Sequence, residues 1–201
     1  MEEDALLKIH EALSQISELR GVVLDKRYFT GYSGKSKIVG GCLALLTSFL
    51  LAVEYIPRND SAHLLAWLLL GVAGMAVNYS AIFRWYSELN IEEKRLARII
   101  PVVDACPSIL VGMILSWGLI AHGALDLLFG TWMSLYGLAH MTYRILLPKP
   151  YYWVGVFYLL SGSLLLLFPQ PFLEPWFMGI VFFVGEIAGG IILERNKQVN
   201  K

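Results

Sequence analysis

Charge is scarce in this chain. Asp, Glu, Lys and Arg make up 16% of its 201 residues, where a soluble domain carries about a quarter. That shortage argues against an ordinary water-facing surface. Cysteine is scarcer still. Cys42 and Cys106 stand alone, without a CxxC pair or a disulfide framework. Both fall inside apolar runs and read as small packing residues. Catalytic signatures are also missing: there is no CxxCH, no HExxH and no DxDxDG. GYSGKSK (31–37) looks superficially like a phosphate loop. It lacks the GxxxxGK[ST] spacing, and no strand precedes it. The opening MEEDALLKIHEALSQ has no basic segment followed by a short apolar one, so the first long apolar run is expected to act as the insertion signal.

What the chain has in quantity is hydrophobic residues, 57% of the total. They collect in runs near the ~20 residues that cross ~30 Å of hydrocarbon. Six spans are expected, at 38–56, 62–83, 99–120, 124–146, 151–168 and 176–193. Prolines stand at most of the breaks, because they cannot continue a helix. Pro107, inside the third run, is expected to kink it. The expected fold is therefore all-α: a polytopic membrane protein of six transmembrane helices in three hairpins. A cytoplasmic amphipathic helix and linker (1–34) precede the transmembrane domain (35–194), and a short cytoplasmic tail (195–201) follows.

Lysine and arginine set the expected orientation. The segments before span one, after spans two and four, and after span six together hold fifteen of them, Lys37 included. The opposite side holds Arg58 alone. That asymmetry fits an even number of spans with both termini in the cytoplasm of a cell with an inner or plasma membrane. Tyr55, Trp85, Tyr86, Tyr151, Tyr152, Trp153 and Trp176 fall where interfacial aromatics are expected.

In the first segment, Leu6, Ile9, Leu13 and Ile16 keep an a/d spacing that Leu19 and Val23 continue imperfectly. This predicts an amphipathic helix of about five turns. Residues 1–24 carry Glu2, Glu3, Asp4, Glu11 and Glu18 against Lys8 and Arg20, a net −3. An anionic membrane surface favours basic helices, so this one is expected to meet another helix. That helix belongs to a protein partner or a second copy; folding back on the chain's own loops is the plainer alternative. The expected partners are thus the lipid bilayer and a protein, not a nucleic acid.

Polar residues inside apolar spans cost energy and usually face the bundle interior. Sorted by depth they form two sets. The inner set is Asn78, Asp104, Tyr136, His140, Arg144 and Glu186. Tyr136, His140 and Arg144 share one face at i, i+4 and i+8. Carboxylates, histidine and arginine at one level can neutralise one another as a structural lock. They could instead form a proton- or ion-responsive site, since histidine titrates near neutrality. Asn78, His140 and Glu186 each follow a nearby glycine (Gly74, Gly137, Gly185), which fits a decayed hairpin repeat or convergent packing alike.

The outer set is Glu54, His63, His122, Asp126 and Glu174. His122 and Asp126, spaced i, i+4, could share a metal with His63, and two histidines could hold a haem iron axially. No motif singles out either cofactor. Gly185 and Gly189 make a GxxxG face that Gly190 extends. Gly71 and Gly74, with Ala73 and Ala76, make another; Gly40 and Gly41 lie in the first span. Such faces let helices approach closely.

Two segments carry a family resemblance: ISELRGVVLDKRYFTGYSGKSKIVGG (16–41) and PWFMGIVFFVGEIAGGIILERN (175–196). The chain resembles a diffuse group of small bacterial multi-span proteins. These open with a short helix, an aromatic-plus-SG segment and a glycine-rich span. They close with a P-x-x-MG…FG…G-I span. Where that group tends to have a second Phe–Gly pair, this chain has Val184, Gly185 and Glu186, which puts an acid in the span. The resemblance covers the two ends and implies a bacterial-type inner-membrane protein with no defined activity. The reading of the residues is a non-enzymatic accessory or scaffold subunit. A small proton- or cation-coupled transporter or channel is the alternative, and a haem- or metal-binding subunit the third.

Overall fold

The computed structural model describes residues 31–88, 106–142 and 147–199. Among them the chain is all-helical. Six α-helices run in order: α1 (Gly34–Ala52), α2 (Asp60–Glu88), α3 (Cys106–Ala121), α4 (Leu128–Thr142), α5 (Tyr151–Leu167) and α6 (Trp176–Val199). Three of them, α1, α2 and α6, are long and apolar enough to cross a membrane; α3 and α5 are apolar but shorter. The expected helix through 1–24, with Leu6, Ile9, Leu13 and Ile16, lies outside the described residues, as do Asp104 and Arg144. Residues 195–199 of the expected tail continue α6, which runs to Val199.

The helix ends follow local chemistry. Ser33 is extended and its Oγ accepts from the Ser36 amide at 3.3 Å. Glu194 Oε1 accepts from the Lys35 amide at 3.3 Å. Two orphan donors of α1 are thus satisfied, one by a local cap and one by α6. Asn59 Oδ1 caps the start of α2 through the Ala62 amide at 2.9 Å. The fourth span was expected to run as one helix from residue 124, but it does not. Gly123 takes φ +68, which an L side chain disfavours, and a 3-10 turn (Leu125–Leu127) precedes α4.

The hairpin connections 53–59, 122–127 and 168–175 gather at one end. Arg58 reaches Glu174 at 2.8 Å and Glu54 at 3.6 Å. The Phe172 amide donates to Asp126 Oδ1 at 2.7 Å. Below them Phe172, Phe129 and Leu128 form an aromatic core with Leu64 and Trp67 of α2.

The closest packing, however, is not within three equivalent hairpins. It joins α1 to α6, far apart in sequence, and α4 to α5. In each pair the backbones touch. A methyl on Gly41 would lie 2.9 Å from Glu186 Cβ and 3.2 Å from the Phe183 carbonyl oxygen. One on Gly190 would lie 2.7 Å from the Gly34 carbonyl oxygen. One on Gly137 would lie 2.6 Å from the Leu159 nitrogen, and one on Gly130 2.9 Å from the Gly162 oxygen. Gly34, Gly41 and Ser48 recur every seven residues, as do Gly130 with Gly137 and Gly155 with Gly162. Seven residues is two turns, so each series lines one face, and small residues there allow close approach. The chain is built from two zipped helix pairs, α1/α6 and α4/α5.

The expected small-residue faces divide accordingly. Gly185 packs beneath the Tyr158 ring, and Gly189 beneath Tyr151. Gly71 and Gly74 meet nothing within 4 Å among the described residues, so the α2 face is not an internal packing face there. Cys42 and Cys106 are exposed rather than packed inside. Tyr151, expected in an interfacial belt, is buried against Leu147 and Leu193.

Candidate functional site

Where the two zipped pairs meet, their side chains are polar. α1 supplies Lys37 and α6 supplies Glu186. α4 supplies Tyr136 and His140, one turn apart, and α5 supplies Tyr151 and Tyr158. Lys37 and Glu186 are each 4% exposed, and Tyr158 is fully buried. Burying one charge alone would be prohibitive, so a pair with complete hydrogen bonding is the arrangement expected here.

The Lys37 ammonium has three protons and three acceptors. Its Nζ lies 2.7 Å from the Tyr136 hydroxyl, 3.2 Å from His140 Nε2 and 3.3 Å from Glu186 Oε1. The Tyr136 hydroxyl accepts from Lys37 and donates to Glu186 Oε1 at 2.8 Å. Tyr158 donates to the same oxygen at 3.1 Å. Glu186 Oε1 is therefore the point where three donors from three helices converge. The Lys37 Nζ also lies 5.0 Å from the Tyr136 ring centroid, within range of a cation–π attraction.

The histidine tautomer follows from its neighbours. His140 Nδ1 lies 2.8 Å from the Tyr136 carbonyl oxygen, which can only accept. Nδ1 therefore carries the proton, and Nε2 presents its lone pair to the Lys37 ammonium. The ring stacks on Tyr151, with centroids 5.4 Å apart and planes at 17°. Cation, anion and neutral imidazole balance to zero net charge.

Of the inner set, the structure brings together Tyr136, His140 and Glu186. Asn78 is elsewhere, donating to the Gly74 carbonyl of its own helix at 3.0 Å. Lys37 was missed because it reads as one of the basic residues ahead of the first span. The helix in fact starts three residues before it, and Lys37 heads the buried face that continues through Gly41, Ala44 and Ser48. That i, i+4, i+7, i+11 spacing was the available signal. Tyr158 was missed too; a hydroxyl in the middle of a long apolar run usually has a buried partner.

The outer set does not converge. His122 turns back to the Gly118 carbonyl, 2.7 Å from Nδ1. The break at Gly123 destroys the i, i+4 helical relation that would aim it with Asp126 at one ion. Asp126 is used by the Phe172 amide, and Glu54 and Glu174 by Arg58. His63 is fully buried beside Phe172, with ring centroids 6.1 Å apart. Its two ring nitrogens have no hydrogen-bond partner among the described residues. No three of the described His, Cys, Asp and Glu residues group as metal ligands.

A cleft lies apart from both sets. It holds about 280 Å³ between α1 and α2, lined by Leu43, Thr47, Leu50, Ala66, Leu70 and Ala73. No protein-family model, no curated protein and no solved structure matches the chain.

Proposed function

We propose that the chain is an integral membrane protein of the cell (inner or plasma) membrane. Its six helices span the bilayer, and both termini are cytoplasmic. It works without catalysis, as an accessory or scaffold subunit of a membrane assembly. The apolar length of α1, α2 and α6 supports the membrane reading. So does the outward apolar surface of α2 and α3, where Leu68, Phe83, Ile114 and Trp117 are exposed. The gathering of connections 53–59, 122–127 and 168–175 at one end, with Arg58 the one lysine or arginine among them, supports the orientation.

The observation that carries the subunit reading is the closure of the polar cluster. All three Lys37 donors are taken by side chains of this chain, and Glu186 Oε1 receives three donors in return. The cluster is a lock between helices, with no donor of the ammonium left to recruit a solute. The test is the mass and composition of the protein extracted gently from its native membrane. A partner at fixed ratio is expected; a lone monomer or homodimer overturns the subunit reading.

A second reading is a proton- or cation-coupled transporter. It is favoured by the position of the cluster, at the seam between two zipped pairs rather than inside either one. It requires Glu186→Gln or His140→Ala to abolish flux in reconstituted vesicles while the fold survives, and unchanged flux rejects it.

A further inference from the structure

The two pairs are zipped inside and latched between. Within α1/α6 and α4/α5 glycines bring the two backbones into direct contact. Between the pairs the contacts are bulky rings and one shared polar cluster. Phe182 of α6 meets Tyr136 of α4 and Tyr158 of α5, each at 5.2 Å, centroid to centroid. Packed helix units of this kind move as bodies at their mutual seam.

His140 is the group on which that seam turns. Facing it are Lys37 from α1, Glu186 from α6, Tyr151 and Tyr158 from α5, and Tyr136 from its own helix. α3, the other helix packed on α4, carries no acidic or basic side chain. His140 Nδ1–H is already committed to the Tyr136 carbonyl, so Nε2 is the position open to a further proton. That proton would convert a 3.2 Å hydrogen bond into a contact between two cations. The Lys37 ammonium would then have to leave His140. The seam would lose that one polar tie, keeping those of Lys37 to Tyr136 and of Glu186 to Tyr136 and Tyr158.

We propose that His140, Lys37 and Glu186 form a proton-operated latch between the α1/α6 and α4/α5 pairs. One proton from the aqueous phase, taken up on His140 Nε2, displaces Lys37 from it and lets the pairs shift at their seam. The latch deepens the subunit reading by giving its lock a regulator.

The test uses the full chain in lipid nanodiscs. Spin labels go on Cys42 of α1 and on Leu160→Cys of α5, both exposed sites, with Cys106→Ser. The inter-label distance is followed from about pH 8 to about pH 4, which brackets the ordinary histidine range. The expected result is a single step of about 2 Å or more, the scale of helix shifts at packed interfaces. His140→Gln, which keeps a neutral donor and acceptor, is expected to abolish the step. The double variant Lys37→Met/Glu186→Leu keeps the cluster neutral and removes the repelling cation, so it too is expected to show none. A step that survives in either variant overturns the latch, as does a wild-type distance constant across the range. Partner content is measured on the same preparation at the upper pH. A constant distance with the partner retained rejects the latch alone, whereas absence of the partner counts against the subunit reading.

Discussion

Lys37 of α1 and Glu186 of α6 stand 3.3 Å apart, nitrogen to oxygen, in an interior that leaves each 4% exposed. They are joined a second time through the Tyr136 hydroxyl. A buried ion pair of this kind stabilises less than its Coulomb energy suggests, because both charges gave up water. Its effect on mutation is therefore asymmetric. Glu186→Gln leaves the ammonium without a counter-charge and is expected to cost about 3–5 kcal/mol. Lys37→Met with Glu186→Leu is expected to restore most of that. Thermal unfolding of the three proteins in one detergent checks this, and a double variant no better than the single rejects it.

Tyr136 bridges cation and anion, while Tyr158 touches only the anion among the charged pair. Tyr136→Phe removes one bond to each charge, and hydrogen bonds to charged groups contribute about 1.5–3 kcal/mol apiece. Tyr158→Phe removes one bond to a single charge. The expected order of stability is wild type, then Tyr158→Phe, then Tyr136→Phe. Chemical denaturation resolves the order, and equal losses would mean that the Tyr136 bond to Lys37 adds nothing to stability.

The glycines separate the same way. Gly137→Ala places a methyl 2.6 Å from the Leu159 nitrogen, against backbone that cannot yield without parting α4 from α5. Overpacking of this sort costs about 1–3 kcal/mol. Gly71→Ala meets nothing described within 4 Å. It is expected to leave stability unchanged or raise it by up to about 1 kcal/mol through helix propensity. Unfolding midpoints of the two variants decide the matter. Any partner lost in Gly71→Ala with the fold intact would place that partner on the open face of α2.

The general plan was legible in the sequence because hydrophobic length and proline breaks report directly on helices. Six helices and their common turn end follow from those signals. Tyr136, His140 and Glu186 were legible as costly groups at a shared level. Lys37 was not, because a lysine at the edge of an apolar run reads as a charge reaching for water. Only the rotation of α1, set by Gly41 and Ser48 against α6, turns it inward. The pairing of α1 with α6 was equally hidden. Sequence adjacency favours hairpins, whereas the seven-residue glycine series that selects the true partner looks like ordinary small-residue scatter. At the other end, the i, i+4 spacing of His122 and Asp126 reads as paired ligands, but Gly123 at φ +68 breaks the helical relation that the spacing needs.

His63 gives the last prediction. It is fully buried against Phe172, and its two ring nitrogens have no hydrogen-bond partner among the described residues. Leaving a buried polar group unpaired costs about 1–3 kcal/mol. Replacing it by an apolar group of similar shape removes that cost, so His63→Leu is expected to be neutral or stabilising. A histidine holding a metal or a haem iron would behave in the opposite way, since ligand loss would remove binding energy from the fold. Thermal unfolding of His63→Leu beside the wild type, each with and without a chelator, distinguishes the two. A variant at least as stable as the wild type, with no chelator effect on either, fits an aromatic-packed neutral imidazole. A destabilised variant with a chelator-sensitive wild type would show that the outer end holds a ligand after all.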